Sequence, residues 1–224
     1  MRSITLGIDS SDEFLSVGLA GPDGVIISRS SEPGSQNKNM LHQYLRNVLD
    51  EADVNIGEIV AVSIAIGPGS FTGLRVGLAV AKGICWSLGL PLAGVSSLLA
   101  IAHSAKEEFD RILVVKDARR NEFYFAAFER MDNVLAQVIP DAVGSADEAL
   151  AVISRGFKAV GPGVRELGKY TAGNFDMEEA YDRGAVGGAI ALLGKEKILK
   201  GETVDVATVA PVYIRTPKLR ERKS

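Results

Sequence analysis

Cysteine, histidine and tryptophan are scarce in this chain of 224 residues, which contains one Cys, two His and one Trp. A single cysteine excludes a framework of intrachain disulfides and suits a reducing compartment, so we expect a cytoplasmic protein. The histidines, His42 and His103, form no His-x-x-x-His pair, and neither is assigned a catalytic role. Cys85 stands beside Trp86 in an apolar stretch, which predicts a buried, inert thiol. The sequence therefore predicts no metal site and no cysteine nucleophile.

A strong charge of one sign and a membrane-spanning run are also missing. The net charge is −3, so the body of the protein does not attract nucleic acid, and a 46% apolar composition is ordinary for a soluble globular protein. The longest apolar stretch, Val76 to Val95, contains Lys82, four glycines and Pro91. It therefore predicts a buried helix and a short strand rather than a membrane span. The N-terminus, MRSITLGIDSS, reaches an aspartate too early for a signal peptide.

Several catalytic motifs are absent around the most distinctive segment, GPGSFTG at 67–73. An apolar run at 59–66 precedes it and a helix-like run follows, with Ser70 and Thr72 available as caps. Free N–H groups and the positive end of a helix dipole at such a junction suit an anion. No lysine follows the glycines as in a Walker A loop, and neither G-x-G-x-x-G nor G-x-S-x-G is present. Two interpretations stay open, a tight turn and a ligand-binding loop.

The two halves of the sequence repeat one order of elements. Each half opens with a short apolar strand that ends in an acid, Asp9 or Asp117, and continues with two more strands, a helix, a strand and a Gly-Pro-Gly turn. We predict strands at 4–8, 14–19, 25–28, 59–66, 112–116, 122–128, 134–139 and 158–160, and helices at 39–51, 72–88, 145–154 and 164–170. The duplication predicts two α/β domains with mixed sheets, 1–104 and 105–224, with the alternative that the last helix or tail packs back on the first domain.

Duplicated domains with an acid after each first strand resemble the actin, Hsp70 and sugar-kinase superfamily, so an actin-like fold is expected. That resemblance implies a ligand cleft between the halves, with Asp9 and Asp117 facing each other across it. The candidate nucleotide-cleft residues are Asp9, Ser10, Gly67, Gly69, Asp117, Gly161 and Gly163. An aspartate at a strand end also commonly accepts a hydrogen bond from its own backbone in an Asx-turn, and this alternative stays open for both acids.

Five segments in order resemble the TsaB family, formerly YeaZ: GIDSS at 7–11, GPGSFTGLRVGLAVAKG at 67–83, PLAGVSSL at 91–98, DARRNEFY at 117–124 and APVYIR at 210–215. This family is the dimerisation subunit of the bacterial machinery that makes N6-threonylcarbamoyladenosine in tRNA. The resemblance implies a TsaD-like catalytic subunit and a small TsaE-like ATPase as partners. It also implies a homodimer when the chain is alone, contact with tRNA only through the complex, and no membrane contact.

The catalytic relative of this family, TsaD, has two metal-binding histidines in the segment that resembles Pro91 to Ile101. This sequence has Ser97 and Ile101 at those positions. A hydroxyl and an aliphatic side chain do not form a ligand pair for a transition metal. The resemblance therefore implies a subunit that is not itself an enzyme.

An enzyme of another class stays open as the rival hypothesis. An actin-fold ATPase or small-metabolite kinase would use Asp9 and Asp117 with Mg²⁺. Two domains of about 100 residues leave little chain for the insertions that close over a substrate, which opposes this hypothesis. Because no lysine follows either glycine turn, we expect no tightly bound cofactor and at most weak ATP or ADP binding.

Two helices form the candidate partner surface. The helix at 72–88 is apolar nearly all round, so both of its sides must be covered, whereas the helix at 39–51 is amphipathic. We predict that the two helices together meet a second copy or the catalytic subunit, so that these partners compete. The predicted interface residues are Leu41, Tyr44, Leu45, Val48, Leu74, Leu78, Ala81 and Cys85, beside a ridge of small residues at Gly73, Gly77, Ala81 and Cys85. The alternative is that the two helices cover each other inside the domain.

The C-terminal tail is basic, with Lys218, Arg220, Arg222 and Lys223 opposed only by Glu221. A solvated terminus and a weak electrostatic contribution to tRNA binding by the assembled complex are both compatible with this pattern.

Overall fold

Nine strands and six helices lie in the part of the chain that the computed structural model describes, residues 3–34, 40–132, 134–171 and 180–215. The strands are β1 (Ile4–Asp9), β2 (Ser16–Gly21), β3 (Gly24–Ser30), β4 (Ile59–Gly67), β5 (Leu92–Ser96), β6 (Arg111–Arg119), β7 (Glu122–Met131), β8 (Val134–Ser145) and β9 (Lys158–Val160). The helices are α1 (Leu41–Glu51), α2 (Phe71–Leu88), α3 (Ser97–His103), α4 (Ala146–Ile153), α5 (Val164–Leu167) and α6 (Val186–Leu199).

The strands form two mixed sheets with matching topology. The first has the order β3-β2-β1-β4-β5 and the second β8-β7-β6-β9. In each, the strand that contains the acid Asp9 or Asp117 pairs antiparallel with the next strand and parallel with the strand before the Gly-Pro-Gly turn. This repetition is the duplicated, mixed-sheet α/β architecture of the actin-like fold, and the prediction of fold class is confirmed.

The elements stack in five layers, because each sheet buries both of its faces. Helices α1 and α2 cover the outer face of the first sheet, where Leu41, Leu78 and Ile64 share one buried cluster. Helices α3 and α6 lie between the two sheets, and α4 and α5 cover the outer face of the second. We call the first sheet with α1 and α2 the first lobe, and the second sheet with α4 and α5 the second lobe.

Helix α6 lies unusually close to the first sheet, although it comes from the second half of the sequence. A Cβ atom on Gly7 of β1 would stand 2.3 Å from the carbonyl oxygen of Gly187, and one on Gly18 would stand 2.3 Å from the backbone nitrogen of Gly188. Glycine is therefore required on both sides of this contact. The last helix packs on the first lobe, and the chain after it continues along the same sheet, with Val204 bridging Leu92.

Local signals explain where the main helices begin. The Ser70 hydroxyl accepts a hydrogen bond from the Gly73 N–H at the start of α2. Ser145 and Glu148 form a capping box at the start of α4. The helix predicted at 164–170 is α-helical only through Leu167, and Asn39, the predicted start of α1, lies outside the described residues. Within the described segments, no helix is long and apolar enough to cross a membrane.

Candidate functional site

A cleft of about 920 Å³ opens between the lobes. Loops at the ends of β1, β4 and β6, the turn after β9 and the segment after α6 all contribute to it. The lining residues are Ser11, Asp12, Glu13, Gly34, Gly69, Ser70, Phe71, Lys116, Asp117, Ala118, Arg119, Tyr124, Pro162, Arg165, Glu166, Lys169, Tyr213 and Arg215. Of the predicted nucleotide-cleft residues, Gly69 and Asp117 are among its lining residues, and Asp9, Ser10, Gly67, Gly161 and Gly163 are not.

Asp9 is buried at the end of β1 and forms the Asx-turn that was the alternative interpretation. One carboxylate oxygen, Oδ1, accepts a hydrogen bond from the Ser11 N–H at 2.7 Å. Burial raises the pKa of Asp9, and the positive charge of Lys116 opposes that rise. Ser10 turns away from the cleft, because its hydroxyl donates to the Gly73 carbonyl of α2 at 2.8 Å.

The side chain of the second lobe that reaches this loop is Lys116, which the sequence analysis did not single out. Only 4% of its side chain is exposed. Its Nζ donates to the Ser11 hydroxyl at 2.8 Å and to the Ser11 carbonyl at 3.4 Å. It also lies 3.3 Å from Oδ2 of Asp12. The first lobe therefore meets a lysine of β6 at the floor of the cleft.

Asp117 holds the turn of its own hairpin. Its Oδ1 accepts from the Arg119 N–H at 2.6 Å, and its Oδ2 lies 3.1 Å from the Arg119 guanidinium. Arg119, Arg120 and Asn121 all have left-handed backbones, with φ of 64°, 59° and 61°. Such a conformation costs roughly 1–2 kcal/mol for each residue. Arg119 also reaches across the cleft to Glu13 at 3.1 Å.

The two Gly-Pro-Gly turns support the cleft by close backbone contacts. Gly67 has φ of +122°, and a Cβ there would stand 2.8 Å from the Val212 carbonyl oxygen. A Cβ on Gly69 would stand 2.3 Å from the Ser11 carbonyl oxygen. In the second turn, Gly161 has φ of +107°, and the Gly163 N–H donates to the Val115 carbonyl at 2.9 Å. These glycines are required by conformation and packing, and the nucleotide cleft stays a prediction.

The segment 210–215 ties the two lobes together along the edge of the cleft. The Val212 N–H donates to the Ile66 carbonyl at 2.7 Å, and the Tyr213 hydroxyl accepts from Arg75 Nε at 3.0 Å. Arg215 then crosses to the second lobe, where it donates to the Ala118 carbonyl at 2.7 Å and lies 2.8 Å from Glu122. The APVYIR motif therefore acts as a strap between the lobes.

The predicted partner interface stays a prediction, and most of its side chains lie inside the first lobe. Leu41, Leu45, Val48, Leu74, Leu78, Ala81 and Cys85 are buried, and only Tyr44 of the predicted set is partly exposed. The ridge of small residues also faces inward at Gly77, because a Cβ there would stand 2.1 Å from the Ser10 hydroxyl oxygen and 3.2 Å from Ile64 Cδ1 of β4. The physical reason is that α2 is apolar on nearly every side, so its composition does not identify the side that meets the sheet.

The exposed side of α2 is its opposite face. Thr72, Arg75, Ala79, Gly83 and Trp86 follow each other at helical spacing, and all five are exposed. Trp86 is 77% exposed. We call these five residues the α2 face. Trp86 lies on this face with the small residues Ala79 and Gly83, and aromatic residues of this kind are enriched in protein interfaces.

The remaining reactive side chains show structural surroundings. Burial raises the pKa of the Cys85 thiol to about 11, so it stays protonated near neutral pH. Burial lowers the pKa of His103, and the nearby charge of Glu196 opposes that effect. Among the residues that the structure describes, no group of three or more His, Cys, Asp or Glu side chains could hold a metal ion.

Comparison with known proteins gives consistent matches across the chain. The family model described as "TsaD: tRNA N6-adenosine threonylcarbamoyltransferase" matches residues 35–207. The tRNA threonylcarbamoyladenosine biosynthesis protein TsaB of Bacillus subtilis is 29% identical over 221 residues, which cover 94% of this chain and 93% of that protein. The protein of the same name from Escherichia coli is 29% identical over 227 residues, covering 94% of each chain.

Solved structures agree with the fold. The structure of YeaZ from Pseudomonas aeruginosa superposes with a TM-score of 0.78 at 24% sequence identity. The match covers 94% of this chain and 99% of that one.

Proposed function

The chain belongs to the TsaB (YeaZ) family, and on that premise we propose that it acts in the biosynthesis of N6-threonylcarbamoyladenosine in tRNA, as a non-catalytic subunit that binds the catalytic transferase. The names of the two curated relatives support the pathway. The family model supports the partner, because it is described as the transferase and matches most of this chain. Two copies of one fold can pair through equivalent elements, as they do in a two-fold dimer.

The α2 face is the observation that carries the partner role. Trp86 exposes 77% of its surface, and aromatic side chains of this kind provide most of the binding energy in protein interfaces. The exposed Ala79 and Gly83 lie two turns and one turn before it, respectively, and let another helix approach closely. The proposed contact therefore keeps the two helices of the sequence prediction but uses the opposite side of α2.

A pair of matched variants tests this surface. Trp86→Asp should weaken binding to a purified TsaD-like subunit by roughly 30-fold or more, because it removes the proposed anchor and adds a charge. Leu199→Asp is the control, since Leu199 is also 77% exposed but lies at the end of α6, on the other face of the first sheet. Equal affinities of the two variants, measured by calorimetry, would exclude the α2 face.

The same face is proposed to form the homodimer when the chain is alone, so the two associations should compete. Adding the catalytic subunit to the homodimer should produce the heterodimer, with the homodimer disappearing in light scattering. If the complex with the catalytic subunit still contains two copies of this chain in contact with each other, the homodimer and the heterodimer use two separate surfaces. A small TsaE-like ATPase and tRNA are proposed to join only the assembled pair.

A further inference from the structure

The floor of the cleft contains a buried charge network that neither the family nor the proposed role explains. Lys116 comes from β6 of the second lobe, and Ser11 and Asp12 belong to the loop after β1 in the first lobe. The lysine ammonium donates two hydrogen bonds, to the Ser11 hydroxyl at 2.8 Å and to the Ser11 carbonyl at 3.4 Å, and it forms an ion pair with Asp12 Oδ2 at 3.3 Å. These three contacts are all directed at the opposite lobe.

The acids of the first lobe need such a cation. Asp9 and Asp12 lie close together in one loop, and Asp9 is 2% exposed. Oδ2 of Asp12 is buried and accepts no hydrogen bond from any described residue, so its contact with Lys116 is electrostatic. One of these acids, Asp9, is a residue that the ATPase hypothesis would use with Asp117 to bind Mg²⁺.

We propose that Lys116 is a built-in counter-ion that replaces a divalent ion at this loop and latches the two lobes together. A buried ammonium that is paired with Asp12 and hydrogen-bonded to Ser11 keeps the cleft floor closed without metal or nucleotide. Arg119–Glu13 and the Arg215 strap close the more exposed edges of the same cleft. The lobes are therefore held in one arrangement by side chains of the chain itself.

A double-mutant cycle on the full-length chain tests the latch. Lys116→Met leaves Asp12 buried without its cation and should lower the folding equilibrium constant by roughly 100-fold, whereas Asp12→Asn should have a smaller effect. The double variant should recover about tenfold relative to the sum of the two single effects. Additive effects would mean that Lys116 only fills space and would overturn the proposal.

Hydrogen exchange at amides of the cleft floor distinguishes a latch between the lobes from a side chain that only fills space. In Lys116→Met, the amides of Ser11 and Ser70 should exchange faster, because the loop of the first lobe loses its anchor in the second. Lys195→Met is the matched control: Lys195 also donates to two carbonyls, those of Gly21 and Pro22, but it lies on α6 against the first sheet. It should leave exchange in the cleft unchanged.

Two further exchange measurements address a Lys116→Met variant that does not fold and the binding of Mg²⁺ with ATP. If Lys116→Met does not fold, Asp12→Asn alone must accelerate exchange at Ser11 and Ser70, and unchanged exchange would refute the latch. In the unmodified chain, Mg²⁺ with ATP should not change exchange at these amides. Protection of the cleft floor by Mg²⁺ with ATP would show that the loop binds metal and phosphate, and would also overturn the proposal.

Discussion

A substitution at Leu78 on α2 distinguishes a position in the internal core from a position on a partner surface. Its side chain is 5% exposed and belongs to the cluster between α2 and the first sheet. Replacing it with Asp removes about 1.5–3 kcal/mol of apolar burial. It also places a carboxylate without a partner in that core, which costs several kcal/mol more. Because domains are stable by only about 5–15 kcal/mol, Leu78→Asp should unfold the first lobe.

A milder variant gives the effect a measurable size. Leu78→Ala should cost about 2–5 kcal/mol, because it creates a cavity in the same cluster. For a chain of this length each kcal/mol lowers the melting temperature by about 2–4 °C, so the expected loss is roughly 4–20 °C. Trp86→Asp on the α2 face should change the melting temperature by no more than about 2 °C.

Thermal unfolding by circular dichroism, followed by light scattering of the folded fraction, checks this contrast. The burial of Leu78 predicts an unfolded Leu78→Asp, and the proposed contact through the α2 face predicts a folded Trp86→Asp that does not dimerise. A well-folded Leu78→Asp that is monomeric would refute the burial argument, because it would place Leu78 on the partner surface.

Three further predictions follow from other parts of the chain. Because burial raises the pKa of Cys85 to about 11, an aromatic disulfide should react with the native thiol at pH 8 about 100-fold more slowly than with the unfolded chain. The raised pKa stabilises the folded protein at pH values below the unfolded thiol pKa of about 8.5. This stabilisation is lost as the pH rises towards about 11, so the melting temperature should fall across that range. After chelator treatment the isolated protein should retain much less than one equivalent of zinc or iron. Calorimetry should show no ATP binding tighter than roughly 10 μM. One retained metal equivalent, or tighter ATP binding, would support the enzyme hypothesis. Gly7→Ala should lower the melting temperature by roughly 2–12 °C, because its Cβ would meet backbone atoms of α6, and an unchanged melting temperature would contradict the close packing of α6 on β1.

The fold was predictable because its signals are local and occur twice. Each Gly-Pro-Gly turn follows a short apolar strand. Asp9 ends the strand that opens the first half, whereas β6, which opens the second half, continues past Asp117 to Arg119. Strand type, turn position and the Ser70 cap depend on neighbours within a few residues, so the sequence pattern identifies them.

The position of α6 depends on contacts between distant parts of the chain. Its sequence, VGGAIALLGKEKIL, is apolar without a clear single face, and propensity does not say which sheet it meets. The available signal was the set of glycines in β1 and β2 that match Gly187 and Gly188, since a helix can approach a sheet closely only where Cβ atoms are missing on both.

The sequence pattern identified neither the side of α2 that meets the sheet nor the contact that Lys116 makes. Gly77, Ala81 and Cys85 allow close approach equally well to a sheet or to a partner helix, so the small residues did not distinguish the two. Lys116 ends the apolar run ILVVK. The strand pattern shows that this residue is polar, but it does not show which lobe the side chain contacts. A lysine at the end of a buried strand is the signal that would have identified it.

Threonylcarbamoyl transfer to tRNA, measured with the purified TsaD-like and TsaE-like subunits in the presence and absence of this chain, tests the proposed role most directly. The chain alone should give no transfer, its addition to the other subunits should restore transfer, and Trp86→Asp should fail to restore it where Leu199→Asp succeeds. Transfer by this chain alone, or full activity of the other subunits without it, would contradict the role of a non-catalytic partner subunit.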